Sequence, residues 1–195
     1  MFGLKIFVRV QTFWRGPPVP PHNFCHPAQG FDEYVKEESG ALRLFPVKDD
    51  QIWKAQNFIA KIIHIPGHTL GHICFYFFNE KLIFTGDTLF SLGCGKIFEG
   101  TYKQMYDSLN KIKSLPKETK VYCGHEYTLN NSRFCIKYDS KNLELKKKAN
   151  DISKKIKNGL PTIPSTIKEE IDCNIFLRTK DLESFSKLRD LKDNF

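Results

Sequence analysis

Up to His125 the chain is written in short apolar runs closed by turn residues, and beyond it those runs give way to helical spacing. Ala60 to Ile65, Ile73 to Phe78, Lys81 to Thr85 and Lys120 to Cys123 are rich in β-branched and aromatic residues and too short for helices, so they read as buried strands of a sheet. Before the last of them, Thr101 followed by Gln104 is a capping box, and Met105, Leu109 and Ile112 fall on one face of the helix it opens. Asn130 to Tyr138, Asn142 to Lys157, Ser165 to Ile171 and Asp181 to Asp193 carry helical patterns, with Gly159 and Pro161 ending the long one. Strands followed by helices predict an α/β layer with a helical cap over one rim.

The opening stretch fits none of this. Met1 to Gln11 alternates as a strand would, but prolines and glycines break the pattern through Gly30, and residues 1–40 are expected to be a divergent, irregular segment. A chain of 195 residues with 41% hydrophobic content can bury one core, and no apolar run approaches the length of about 20 residues that crosses a bilayer. The net charge of +8 comes from lysines spread along the chain and densest from Lys137 to Lys157. That distribution reads as a solvated helical face rather than a nucleic-acid patch, and an anionic small substrate would account for the balance equally well. Neither nucleic acid nor membrane is expected as a partner. The cysteines lie far apart with no C-x-x-C pair and no secretory signal, which points to reduced thiols and the cytoplasm. Mitochondrial import is the alternative, because Lys5, Arg9 and Arg15 precede the first acidic residue, Asp32.

Chemistry concentrates in three segments: Ile65-Pro66-Gly67-His68-Thr69-Leu70-Gly71-His72, Phe84-Thr85-Gly86-Asp87-Thr88 and Tyr122-Cys123-Gly124-His125-Glu126-Tyr127. Each places a metal-ligand residue type after a glycine at the end of a predicted strand. Strand ends in a layered α/β protein share a rim, so His68, Asp87 and His125 can meet although remote in sequence. Imidazole and carboxylate suit zinc or another borderline divalent ion, and a carboxylate can bridge two ions where imidazole cannot, which makes Asp87 the candidate bridging ligand. Alone, each of the three has an ordinary structural explanation; together they outweigh it. His64, in a predicted strand, reads as a hydrogen-bonded structural residue, whereas His72, four residues after His68, has the look of a second ligand that only the resemblance below sets aside as structural.

These segments, with Thr85-Gly86-Asp87-Thr88-Leu89-Phe90, Gly93-Cys94-Gly95-Lys96, Phe98-Glu99-Gly100-Thr101, Pro161-Thr162-Ile163-Pro164-Ser165-Thr166 and the closing Arg189-Asp190-Leu191-Lys192-Asp193-Asn194-Phe195, resemble glyoxalase II. Those hydroxyacylglutathione hydrolases belong to the metallo-β-lactamase superfamily, and the likeness runs from Gly40 to the C-terminus. The resemblance implies an α/β fold, the αββα sandwich, here N-terminally incomplete over residues 41–125, with a helical glutathione-binding domain over 126–195. It implies two zinc ions, with iron or manganese as alternatives, His68 on one, His125 on the other and Asp87 between. The catalytic residue is then a bridging ligand, water on the metals being the nucleophile. It also implies that Lys96, Phe98, Tyr127, Arg189 and Lys192 contact the substrate, Phe98 standing where some members carry tyrosine. A monomer hydrolysing S-D-lactoylglutathione, or a related 2-hydroxyacyl thioester, to D-lactate and glutathione is the expectation.

The superfamily's H-x-H-x-D-H motif does not occur in this sequence. His22 and His26 have helical spacing, but Pro20, Pro21 and Pro27 oppose a helix there. Three ligands shared by two ions leave each with two protein contacts, fewer than the three or four that zinc takes. An incomplete gene model, a spliced variant and a decayed copy are the readings that follow, and a remnant that only binds glutathione or a partner is the alternative to an enzyme.

Overall fold

The computed structural model describes residues 31–36, 42–55 and 58–195. A hairpin of β1 (Phe31–Lys36) and β2 (Leu42–Val47) precedes β3 (Ile52–Ala55), β4 (Phe58–His64), β5 (Ile73–Phe77) and β6 (Leu82–Gly86). The two-residue strands β7 (Leu89–Phe90) and β8 (Gly93–Cys94) lead to α1 (Tyr102–Lys113) and β9 (Lys120–Cys123). Then come α2 (Thr128–Tyr138), α3 (Leu143–Lys157), β10 (Ser165–Thr166), α4 (Ile167–Cys173), a 3-10 turn at Ile175–Arg178 and α5 (Leu182–Asp193). Met1 to Gln11, His22 and His26 lie outside the described residues. Phe31–Lys36 is a strand within the stretch expected to be irregular, paired with β2 from Phe31 opposite Val47 to Lys36 opposite Leu42.

Six strands form one mixed sheet in the order β10-β9-β6-β5-β4-β3. From β3 to β6 neighbours are antiparallel, whereas β6 and β9 run parallel. A parallel pair cannot be closed by a tight turn, and α1 supplies the crossover. The period of two along each strand divides the core. Ile63, Cys74, Tyr76, Ile83 and Val121 face the helices, whereas Ala60, Ile62, Ile73, Phe75 and Phe77 form a separate cluster on the other face with Trp53, Phe58 and Leu82 against it. β5 is therefore buried at every position, as its unbroken apolar sequence requires.

The helices begin where local chemistry says they should. Thr101 accepts from the Gln104 backbone and Gln104 reaches back to the Thr101 backbone, and Met105, Leu109 and Ile112 are buried as the expected face. Asn142 and Asp181 are N-caps rather than first helical residues of α3 and α5. The predicted helix Ser165 to Ile171 starts two residues late, at Ile167. Ser165 and Thr166 are drawn into the sheet edge opposite Val121 and Lys120, and Thr166 with Glu169 then makes a second capping box. No helix among the described residues is long and apolar enough to cross a membrane.

Candidate metal centre

β4, β6 and β9 point the same way in the sheet, and each hands the chain to one of the three candidate ligands just past its C-terminal end. Asp87 follows β6 directly, His125 follows β9 after Gly124, and His68 lies in the loop after β4. Parallel pairing brings Gly86 opposite Cys123, and the Gly124 amide donates to the Gly86 carbonyl at 2.8 Å, so Asp87 and His125 must be neighbours. The crevice beyond the carboxyl ends of such strands is where α/β sheets place ligands.

The three side chains converge. His68 Nε2 lies 3.6 Å from Asp87 Oδ2, and His125 Nε2 lies 3.5 Å from Asp87 Oδ1. One carboxylate thus sits between two imidazoles with one oxygen toward each. The His68 Nδ1 is 2.8 Å from the Lys96 carbonyl, which can only accept, so Nδ1 carries a proton and the ring is held with Nε2 toward Asp87. Asp87 Oδ1 is buried without a hydrogen-bond partner among the described residues. A buried carboxylate oxygen left without a donor, with imidazole nitrogens 3.5 and 3.6 Å from the carboxylate, is an arrangement a cation would satisfy. The carboxylate also lies in a cradle a side chain would fill, because a Cβ on Gly124 would stand 2.5 Å from Asp87 Oδ1.

Imidazole and carboxylate are donors suited to divalent ions, but among the described residues no group of three or more His, Cys, Asp or Glu is placed to hold a metal ion. The opening lies toward His125, whose side chain is 52% exposed against 17% for His68.

His72 is the support beneath. Its Nε2 accepts from the Asp87 amide at 3.0 Å, which fixes the backbone carrying the carboxylate. Burial, with His68 as the second cause, pushes the His72 pKa down to about 4, so the ring stays neutral and keeps that acceptor. Gly86 makes the approach feasible: its φ is +50°, and a Cβ would stand 2.5 Å from His72 Nε2. Gly86→Ala is expected to cost about 2–4 kcal/mol of stability through left-handed strain and collision together, read as a lowered urea midpoint.

Around the centre, Phe98 sets its ring edge on His68 at 5.0 Å and Tyr127 stacks on His125 at 5.0 Å, both largely exposed. Lys96 is exposed, and its carbonyl is the one that accepts from His68. Arg189 and Lys192, on α5, differ from these. Arg189 is buried, donating from Nη1 to the Cys94 carbonyl at 2.8 Å and from Nη2 to Asp193 at 2.9 Å, with its Nε unpartnered. Lys192 Nζ is also buried and, among the described residues, has no hydrogen-bond partner; it lies 5.0 Å above each of the Phe134 and Phe195 rings, and burial and then Arg189 lower its pKa.

Sequence reasoning passed over Glu170, Asn174 and Asn131. All three are buried and reach the β7–β8 turn. Their signal was polar residues on the inward faces of α2 and α4, for Asn131 and Glu170, and just past the end of α4, for Asn174.

Residues 46–125 match the family model described as metallo-beta-lactamase superfamily, and residues 126–195 match that described as hydroxyacylglutathione hydrolase C-terminus. Residues 46–195 are thus similar throughout to hydroxyacylglutathione hydrolases of the metallo-beta-lactamase superfamily. A hydroxyacylglutathione hydrolase of Pelagibacter ubique (strain HTCC1062) is 70% identical over 149 residues, covering 76% of this chain and 62% of that protein. One of Prochlorococcus marinus (strain MIT 9301) is 51% identical over 134 residues, 68% of this chain and 54% of the relative. The chain therefore spans less than two thirds of the length of these relatives. Among solved structures, ETHE1 from Myxococcus xanthus superposes with a TM-score of 0.53 at 25% identity, over 74% of this chain and 50% of that one.

Proposed function

We propose that this chain carries the His68, Asp87 and His125 part of a dinuclear centre that hydrolyses S-D-lactoylglutathione, or a related 2-hydroxyacylglutathione, to D-lactate and glutathione. The observation that carries the reading is the Asp87 carboxylate lying between two imidazoles, 3.6 and 3.5 Å away, with a buried oxygen left unpartnered. The relatives' names supply the substrate class. When bound, divalent ions lower the pKa of water toward neutrality and polarise the thioester carbonyl. Zinc suits this donor set, and iron or manganese would also accept it.

The chain's own residues position and recognise. His68 is held in one tautomer by the Lys96 carbonyl, and His72 holds the Asp87 backbone. A glutathione thiolate leaves from a parent pKa of about 8.5, so no general acid has to protonate it, and the proposal needs none. Lys96, Phe98 and Tyr127 line the approach to the two imidazoles. The unpartnered Lys192 Nζ and Arg189 Nε are cationic donors suited to the carboxylates of glutathione. The described cysteines are unpaired, which supports a cytoplasmic site of action.

The test is zinc stoichiometry of the purified chain measured alongside thioester hydrolysis. Two zinc ions with turnover support the proposal, whereas glutathione binding with neither zinc nor turnover supports a binding remnant. In an active preparation, Lys192→Ala is expected to raise KM by about tenfold and leave kcat nearly unchanged, because the contact lies away from the carbonyl and is made equally in ground and transition states.

A further inference from the structure

The stretch from Thr88 to Lys96 is a strap whose two ends set the two ligands that face each other. At one end it continues from Asp87; at the other, the Lys96 carbonyl fixes the His68 ring. Between them the Gly95 amide donates to the Thr88 carbonyl at 3.1 Å, closing the strap on itself beside Asp87. A Cβ on Gly95 would overlap the Asp87 carbonyl oxygen at 1.9 Å, so a small displacement of this segment moves the Asp87 backbone.

The strap's turn is not self-supporting. Leu92 sits at a φ of 57°, a conformation that costs a branched side chain free energy unless its surroundings enforce it. The enforcement comes from the C-terminal helices. Asn131 of α2 donates to the Ser91 carbonyl at 3.1 Å, and Cys135 Sγ donates to the Leu92 carbonyl at 3.1 Å. From α4, Glu170 Oε2 accepts from the Leu92 amide at 2.9 Å, and Asn174, which follows that helix, donates to the Gly93 carbonyl at 3.1 Å. Arg189 of α5 takes the Cys94 carbonyl at 2.8 Å, next to Gly95. Arg189 is the one cation among these buried partners, and a charged donor on a carbonyl in a dry interior is worth more than a neutral one.

We infer that Arg189 is a positioning residue for the metal centre: by holding the Cys94 carbonyl against α5 it sets Gly95 and Lys96, and through them the approach of Asp87 to His68. Its Nη atoms are committed to this task and to Asp193, whatever its Nε does toward substrate. The α5 helix then sets ligand geometry as well as substrate affinity. The inference takes its meaning from the proposed metal centre, but it is tested in the metal-free protein, so the two can fail separately.

The experiment is amide hydrogen exchange by NMR on Arg189→Ala and Arg189→Lys, with the ¹⁵N shifts of the His68 ring recorded alongside. Arg189→Ala is expected to speed exchange at the Gly95 and Asp87 amides by at least about tenfold and to mix the His68 tautomers, while the β4–β5 ladder keeps its protection. Arg189→Lys, which retains a cationic donor, should recover part of the difference. Unchanged exchange at Gly95 and Asp87 overturns the inference. So does a uniform rise across the molecule, which would make Arg189 merely a stabilising residue. If Arg189→Ala does not fold, Asp193→Asn removes the guanidinium's anchor without touching the strap; faster exchange at Gly95 alone supports the inference, and no local change overturns it. Failure to bind zinc would sink the proposed function and leave this result standing.

Discussion

Replacing Asp87 with asparagine should stabilise the metal-free chain by about 1 kcal/mol while weakening zinc binding by at least about 100-fold. The two effects share one cause. Asp87 Oδ2 stands 3.6 Å from His68 Nε2, too far for a hydrogen bond, and among the described residues no donor reaches the buried Oδ1. An amide in the same volume offers N–H to an imidazole and so replaces an uncompensated acceptor with a hydrogen bond. With metal present the balance reverses, because the negative charge that two ions would share is gone and each keeps a single anionless imidazole from this chain. Thermal melts in chelator against a zinc titration with a competing chromophoric chelator separate the two. Undiminished zinc affinity in Asp87→Asn would remove the carboxylate from the centre, whatever the melts show. Opposed signs are what a functional site predicts, since groups arranged for a ligand are strained without it.

What could be read before the structure was whatever a few consecutive residues decide alone. Thr101 and Gln104 make a capping box within a four-residue window, and Lys120–Cys123 is a strand because its apolar run is bounded on both sides. The convergence of His68, Asp87 and His125 was legible for a related reason: each follows a strand and a glycine, and strand ends share a rim. Pairing order was not legible. Nothing in Leu82–Gly86 says that its parallel partner begins beyond α1, because the choice lies in the fit of two faces rather than in either strand. Ser165 and Thr166 misled the helix boundary for the same reason, since their fate is set by Val121 and Lys120 across the sheet edge. Arg189 shows the limit most plainly. As one of several cations on a polar helix it reads as a surface charge or, by family likeness, a substrate contact, and only packing puts its Nη1 on the Cys94 carbonyl, a residue ninety-five positions earlier.

Phe176→Ala is expected to cost about 3–5 kcal/mol, a large share of the roughly 5–15 kcal/mol that holds a domain together, and to lower stability in the sheet as much as in the helices. Phe176 is 1% exposed, stacks on Phe134 at 5.9 Å and 12°, meets Phe185 edge-on at 6.0 Å and lies 5.3 Å from the Arg189 guanidinium carbon. Those partners come from α2 and α5, yet Phe176, Phe134 and Phe185 belong to one buried cluster with Ile63, Ile83, Met105 and Leu109. A cavity there is therefore felt on both sides of the point where strands give way to helices. Urea unfolding read by circular dichroism for the helices and by amide protection in β5 for the sheet should give a single shared midpoint, displaced together in the variant. Two midpoints, with only the helical one moved, would show that the helices fold as a separate unit, and the strap they brace could then be released without unfolding the sheet that carries the ligands.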